Sequence, residues 1–113
     1  MKLPKRELDK PIDFMAGEYR TLRELRDRPG ERRTLSFATL GEQDLRNLVL
    51  KRYESEPRDK MVHILGEGRF TVDQLEREIR NGTKVGKLAM ETELDWINYL
   101  EEKLEANEIE EGE

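Results

Sequence analysis

The sequence of 113 residues contains no cysteine, one histidine and only two serines. The absence of cysteine excludes disulfides, thiolate catalysis and cysteine-based zinc or iron–sulfur sites. Nucleophilic catalysis needs a nucleophile with a base and an orienting group, and neither serine lies in a G-x-S-x-G turn. Phosphate-binding glycine motifs are also missing. We therefore expect a protein without catalytic residues, cofactor or metal.

Long hydrophobic runs are equally scarce, since no apolar stretch approaches the ~18 residues of a membrane span. The first residues, Met1 to Arg6, are not followed by the apolar core of a signal peptide. We expect a cytoplasmic protein that does not bind membranes.

Charged residues are abundant, at 42% of the chain, and they are unevenly distributed. Residues 1–33 hold 10 Lys/Arg and 7 Asp/Glu, whereas residues 60–113 hold 7 and 14, respectively. A basic head and an acidic tail can attract each other within one molecule or between molecules. The net charge of −5 argues against a chain that wraps nucleic acid.

Two helices are predicted in the first half of the chain. Met15, Tyr19, Leu22 and Leu25 recur at helical spacing, which predicts a helix from Asp13 to the Arg28-Pro29-Gly30 turn. A second helix is predicted over 40–54, and Thr39 with Glu42 has the pattern of a capping box at its start.

Two segments remain ambiguous between helix and strand. Residues 34–38 alternate polar and apolar side chains, and residues 61–65 form a short apolar run. If both are strands, they can pair into a minor two-stranded sheet.

The clearest local signal is a helix–tight turn–helix unit near the C-terminus. Thr71 and Gln74 predict a capping box, and Phe70 can pack on Leu75 as a hydrophobic staple. Asn81-Gly82 ends this helix, predicted over 72–80, and Thr83 caps the next one, predicted over 84–106.

Together these patterns predict a mainly α-helical fold, a compact bundle of about four helices. Residues 1–12 are expected to be an extended arm, residues 13–106 a single helical domain and residues 107–113 a disordered acidic tail. The sequence shows no obvious internal repeat.

The last helix has a wider apolar arc than an ordinary surface helix. Such an arc indicates either burial as a central helix or contact with a partner, and the two are compatible. Trp and Tyr in it favour a partner interface. The predicted partner-binding residues are Leu88, Met90, Leu94, Trp96, Ile97, Tyr99 and Leu100.

A helix-turn-helix nucleic-acid binder is the alternative, because the C-terminal unit has the lengths and the turn glycine of that motif. Its contact residues would be Thr83, Lys84 and Lys87 at the start of the second helix. Against it, the exposed face soon becomes acidic. The one basic cluster is interleaved with acids and is typical of a mixed charged surface; it comprises Arg20, Arg23, Arg26, Arg28, Arg32 and Arg33.

Carboxylate chemistry is a weaker alternative. Glu91 and Asp95 lie four residues apart and could bind a cation or act as acid and base, although a solvated helix face has the same pattern. His63 and Glu67 have the same spacing, but Gly66 interrupts any helix between them. The sequence thus favours a small non-enzymatic interaction module, an adaptor, regulator or assembly subunit that binds a protein partner, forms oligomers, or both.

Overall fold

The computed structural model describes residues 1–34 and 37–112, which form α-helices and two-stranded sheets in alternation. The α-helices are α1 (Lys5–Leu8), α2 (Leu22–Asp27), α3 (Glu42–Tyr53), α4 (Val72–Asn81) and α5 (Lys84–Glu105). The strands are β1 (Lys2–Leu3), β2 (Pro11–Met15), β3 (Glu18–Thr21), β4 (Met61–Ile64), β5 (Gly68–Thr71) and β6 (Glu110–Glu111). Pro29–Thr34 and Phe37–Thr39 are 3₁₀ segments. The mainly helical character is confirmed, the strand content exceeds the predicted minor element, and the bundle arrangement stays a prediction.

A ββα unit occurs twice in the chain at a constant spacing of 50 residues. The first unit (9–27) contains β2, β3 and α2, and the second unit (59–77) contains β4, β5 and the start of α4. Asp, Lys, Thr and Leu recur at matching positions, as Asp9, Lys10, Thr21 and Leu25 and as Asp59, Lys60, Thr71 and Leu75. The expectation that the chain contains no repeat is therefore wrong. The order of strands and helix is repeated, but only a few side chains recur with it.

The two units share one backbone bond and the type of helix cap, although the first hairpin has a register shift between Pro11 and Asp13. The amide of Leu22 donates to the carbonyl of Lys10 at 3.2 Å, and Val72 donates to Lys60 at 3.0 Å. In each unit a threonine ends the hairpin and its hydroxyl oxygen accepts from the third residue of the helix, which satisfies an otherwise unpaired N–H.

Two apolar cores lie beneath the two units, and the longest helices contribute to both. The first core contains Leu3, Leu8, Ile12, Leu22, Leu25, Phe37, Leu48, Ile97, Leu100, Leu104 and Ile109. The second contains Val49, Leu50, Tyr53, Ile64, Val72, Leu75, Ile79 and Ala89. Helix α5 supplies Ile97 to the first core and Ala89 to the second. Helix α3 supplies Leu48 to the first core and Val49 to the second. Each of these helices therefore ties the two units together.

The predicted helix from Asp13 to Arg28 is wrong. Residues 11–21 form an antiparallel hairpin, and only Leu22–Asp27 is helical. The chain reverses at Ala16 and Gly17, both with positive φ (53° and 81°), as a two-residue hairpin loop requires. Tyr19, a member of the predicted helix stripe, is instead the cross-strand partner of Phe14, and the two ring centroids are 4.9 Å apart.

The chain ends also differ from the extended arm 1–12 and the disordered tail 107–113 of the sequence interpretation. β1 and β6 pair in parallel, and the amino group of Met1 donates to the carbonyl of Glu108 at 2.6 Å. Leu3 and Ile109 are buried in the first core. Burial of these apolar side chains thus orders both segments despite their many charged residues. Residue 113 lies outside the described residues.

The ambiguous segments are now assigned in part. Met61–Ile64 is a strand, but its partner is Gly68–Thr71 rather than residues 34–38. Residues 35 and 36 of that segment lie outside the described residues, and Phe37–Thr39 is a 3₁₀ segment. The predicted cap at Thr39 is wrong, since α3 begins after Gly41 without a side-chain cap.

The helix–tight turn–helix unit is confirmed. The Thr71–Gln74 capping box is formed in both directions, and Gly82 ends α4 with a left-handed φ of 65°. Thr83 caps α5 by accepting from the amide of Gly86 at 3.1 Å. The two helices approach so closely at Gly86 that a Cβ there would overlap the backbone carbonyl of Glu78.

We expect Gly86→Ala to lower the free energy of unfolding by about 1–3 kcal/mol, because the added methyl must push α4 and α5 apart. Urea unfolding followed by circular dichroism measures this loss. Gly30→Ala is the control, since a Cβ at Gly30 meets no atom within 4 Å. Equal stability of the two variants would contradict the close helix contact.

Candidate functional site

The wide apolar arc of α5 is divided between the two cores and the surface. Ile97 and Leu100 are fully buried in the first core, so in this fold they support the helix instead of facing a partner. Leu88 and Met90 pack against the second core, and Leu94 packs against both. Trp96 is partly buried and Tyr99 is 41% exposed. Of the predicted partner-binding residues, the two aromatic ones are therefore placed best for contact.

Trp96 and Tyr99 form a stacked pair, with ring centroids 5.7 Å apart and planes at 19°. They line an open groove of about 540 Å³ together with Met1, Thr92 and Asp95. We call these five residues the aromatic face. Helical spacing places Thr92, Asp95, Trp96 and Tyr99 along one side of α5, and the β1–β6 pairing brings Met1 beside them.

A buried ionic network holds the indole of Trp96 in place. Its Nε1 donates to Oε1 of Glu7 at 2.6 Å, and Nη2 of Arg52 donates to the same oxygen at 2.6 Å. Arg52 also donates to Glu93 Oε2 and to the carbonyl of Pro11, both at 2.9 Å. The guanidinium is 1% exposed and joins α3 to α1, β2 and α5.

The pKa of Glu7 shows how strongly this network favours its charged form. Burial by itself raises the pKa of Glu7, but the charge of Arg52 and the hydrogen bonds from Trp96 and Lys10 outweigh it. The net result is a pKa of about 2, well below the usual 4.5. Glu7 is therefore ionised and acts as a permanent acceptor for Trp96.

A cavity of about 550 Å³ adjoins the network, and Trp96, Met61 and His63 are among the residues that line it. We call it the junction cavity, because equivalent lysines of the two units, Lys10 and Lys60, both donate to Glu56 there. Its charged groups are already paired with one another, so an ionic ligand would have to displace them. Burial and the charge of Glu93 raise the pKa of Tyr53, so its hydroxyl stays protonated and is not a ready base.

The predicted nucleic-acid residues lie together in the first turn of α5. Thr83 is occupied by capping and donates its hydroxyl to Glu78 Oε2 at 2.6 Å. Lys84 forms an ion pair with Glu67 at 3.0 Å, and the exposed Lys87 borders a groove that also contains Glu91. The potential around this helix end is therefore mixed in sign.

The predicted histidine pair is separated by the fold, whereas Glu91 and Asp95 stay one turn apart on α5 and border different grooves. Glu91 borders a groove against α3, whereas Asp95 belongs to the aromatic face. His63 lies on β4 opposite Arg69, and Glu67 turns to Lys84. Within residues 1–34 and 37–112, no group of three His, Asp or Glu side chains is arranged to hold a metal ion.

The arginine cluster joins the basic head to the C-terminal segment of the same molecule. Arg23 donates to Asp9 at 2.8 Å and to Glu111 at 2.5 Å. Arg32 donates to the carbonyl of Leu104 at 3.0 Å and to the side chain of Asn107 at 2.8 Å. The opposite charges of head and tail thus meet within one chain.

A partly buried carboxyl group on α5 lies close enough to the first hairpin to feel the charge of Asp13. Glu101 is partly buried, and its Oε1 has no hydrogen-bond partner among the described residues. Burial and the neighbouring charges of Asp13 and Glu105 raise the pKa of Glu101 to about 7. A pattern of surface charges along α5 gives no signal for this burial.

Comparison of the chain with models of protein families, with curated proteins and with solved structures finds no match. None of the helices in the described part of the chain combines the length and the apolar character needed to cross a membrane.

We expect Glu7→Gln to destabilise the protein by about 3 kcal/mol at pH 7, because it removes one partner of a buried charge. The folded pKa lies below the unfolded one, so the contribution of Glu7 is complete above about pH 4.5 and is lost as the pH falls toward 2. Urea unfolding at pH 7 and pH 3 should show a smaller gap between variant and parent at pH 3. The exposed Glu18→Gln is the control, and an equal gap at both pH values would count against the network.

Glu101→Gln has the opposite pH dependence. Its folded pKa is raised, so folding favours the protonated carboxyl, and the parent protein loses stability as the pH rises from about 4.5 to about 7. The variant should be about 1–3 kcal/mol more stable than the parent at pH 8 and similar at pH 4. Thermal unfolding at the two pH values tests this, with the exposed neighbour Glu102→Gln as control. A variant that gains nothing at pH 8 contradicts the assignment.

Proposed function

We propose that this chain is a small non-enzymatic interaction module, an adaptor, regulator or assembly subunit, that binds a protein partner through the aromatic face of α5. The observation that carries the proposal is the surface-exposed stack of Trp96 and Tyr99, in which Trp96 is fixed by Glu7. Tryptophan and tyrosine dominate binding energy at protein interfaces.

The rigidity of the pair favours binding. An indole that is already hydrogen-bonded to a buried carboxylate loses little freedom when a partner covers it. The network around Arg52 would thus preorganise the contact surface. Buried ion pairs can often be replaced by apolar residues without loss of stability. Preorganisation of the contact surface would therefore be a reason for this chain to keep a buried charge.

The chemistry of the face suggests a cationic segment as the partner. Asp95 is exposed beside the two rings, and residues 60–113 carry twice as many acidic as basic residues. Aromatic faces next to a carboxylate attract guanidinium and ammonium groups. The molecule itself provides an example, since Nζ of Lys103 lies 5.4 Å from the ring centroid of Tyr99.

Self-association through α5 is less favourable on the same grounds. A symmetric contact between two aromatic faces would place Asp95 of one copy near Asp95 of the other. In the helix-turn-helix alternative, Lys87 would be the residue most available to contact nucleic acid, because Thr83 and Lys84 already bind other residues of the chain.

The first measurement is a tagged pull-down from native host lysate, in which both proteins and nucleic acids are identified. A stoichiometric protein is then purified and titrated onto the chain, with the fluorescence of Trp96, the one tryptophan, as readout. We expect Tyr99→Ala to weaken this binding by about tenfold or more, since truncated hot-spot aromatics cost 1.4 kcal/mol or more.

Two controls make the test specific. Lys87→Ala, on an exposed part of α5 outside the aromatic face, should bind like the parent protein. If the parent protein recovers nucleic acid and the Lys84→Glu, Lys87→Glu variant does not, the proposal is overturned in favour of the helix-turn-helix alternative. Binding that is unchanged in Tyr99→Ala would overturn the assignment of the aromatic face.

A further inference from the structure

The two ββα units differ in how completely their hairpins are covered. In the first unit Pro11, Ile12 and Asp13 are all buried, so both faces of the strand are occupied. In the second unit Ile64 is buried, but Met61 is 54% and Leu65 is 89% exposed. Met61 and His63 are therefore exposed where their counterparts in the first unit, Pro11 and Asp13, are buried. Leu65 and its counterpart Met15 are exposed in both units.

The difference follows from the connections that leave the units. After α2 the chain runs from residue 28 to residue 41 before α3 begins, and its Phe37–Thr39 segment contacts β2. The carbonyl of Glu31 in the same connection accepts from Arg20 of β3 at 3.3 Å. After α4, by contrast, only Gly82 and Thr83 precede α5. The connection that follows α4 is therefore too short to lie over the hairpin of the second unit.

The uncovered surface combines apolar and basic side chains. Met61, His63 and Arg69 lie on the exposed side of the hairpin, and Leu65 lies at its tip; we call these four residues the hairpin face. Glu67, the acidic residue of the turn, is directed to Lys84. The face therefore offers two large apolar side chains, an imidazole and a guanidinium.

We propose that the hairpin face is a second docking surface, and that it binds a short, acidic segment of a partner protein with an apolar or aromatic anchor. The first unit shows the kind of cover that fits, because its own connection packs the buried side chain of Phe37 against the first core beside β2. The acidic character follows from His63 and Arg69, which would pair with carboxylates at the rim.

A second copy of this chain is the less suitable occupant. Symmetric packing of two hairpin faces would oppose Arg69 to Arg69, and like charges at an interface oppose association. The proposal does not depend on the aromatic face, which lies on α5 and presents the opposite charge preference.

A random peptide library displayed on phage, panned against the parent protein, tests the inference directly. We expect enriched peptides that contain an apolar or aromatic residue flanked by Asp or Glu. Their synthetic versions should bind about tenfold or more weakly to the Met61→Ser, Leu65→Ser variant. Met15→Ser is the matched control, because Met15 is also exposed at a hairpin tip but belongs to the first unit.

The single histidine provides an independent readout. The imidazole proton signals of His63 should shift on addition of an enriched peptide, and the Tyr99→Ala variant, which alters the aromatic face, should show the same shift as the parent. Enriched peptides that are basic, or that bind the double variant as well as the parent, would overturn the proposal. So would a parent protein that sediments as a dimer while the double variant is monomeric.

Discussion

The buried guanidinium of Arg52 is the interaction on which the arrangement of the other elements depends. It is removed from water, so its charge and its donors must be compensated within the protein. Glu7, Glu93 and the carbonyl of Pro11 provide this compensation from α1, α5 and β2. These elements can move apart only by leaving a charge unpaired in a region of low dielectric constant. The network therefore fixes the relative positions of parts that are distant in sequence.

The same network connects stability to the proposed interaction. Oε1 of Glu7 accepts from both Arg52 and Trp96, so the group that compensates the buried charge also orients the exposed indole. The aromatic face is consequently supported by the interior instead of by a flexible loop. The hairpin face lacks such support, and its apolar side chains extend from a two-stranded sheet. The two surfaces also differ in charge, which would allow them to select different partner segments.

The repeated unit explains why a chain of this size has two cores. Each hairpin with its helix can bury only one apolar face, and α3 and α5 complete both cores at once. The shared carboxylate of Glu56, which accepts from the equivalent lysines Lys10 and Lys60, links the units at their junction. The connection after α4 is only two residues long, and Met61 is exposed where its counterpart Pro11 is buried.

Local sequence signals determined α4 and α5, since caps and apolar spacing act within one helix, whereas α3 was indicated by apolar spacing without its predicted cap. Thr71, Gln74, Gly82 and Thr83 all perform the roles that their local chemistry requires. The same reasoning failed over residues 13–21, because Met15, Tyr19 and Leu22 have a spacing that helices and hairpins can share over so short a stretch. There the positive φ of Ala16 and the contact between Phe14 and Tyr19 decide the structure.

Only the tertiary structure decided the rest. The sequence pattern predicted Trp96 and Tyr99 as contact residues but also included the buried Ile97 and Leu100, because periodicity cannot show which side of a wide arc faces the core. The burial of Arg52 and its pairing with Glu7 join residues 45 positions apart, and no local rule predicts such a pair. Short-range chemistry thus specified the helices of this chain, whereas long-range compensation of buried charge and apolar surface specified how they meet.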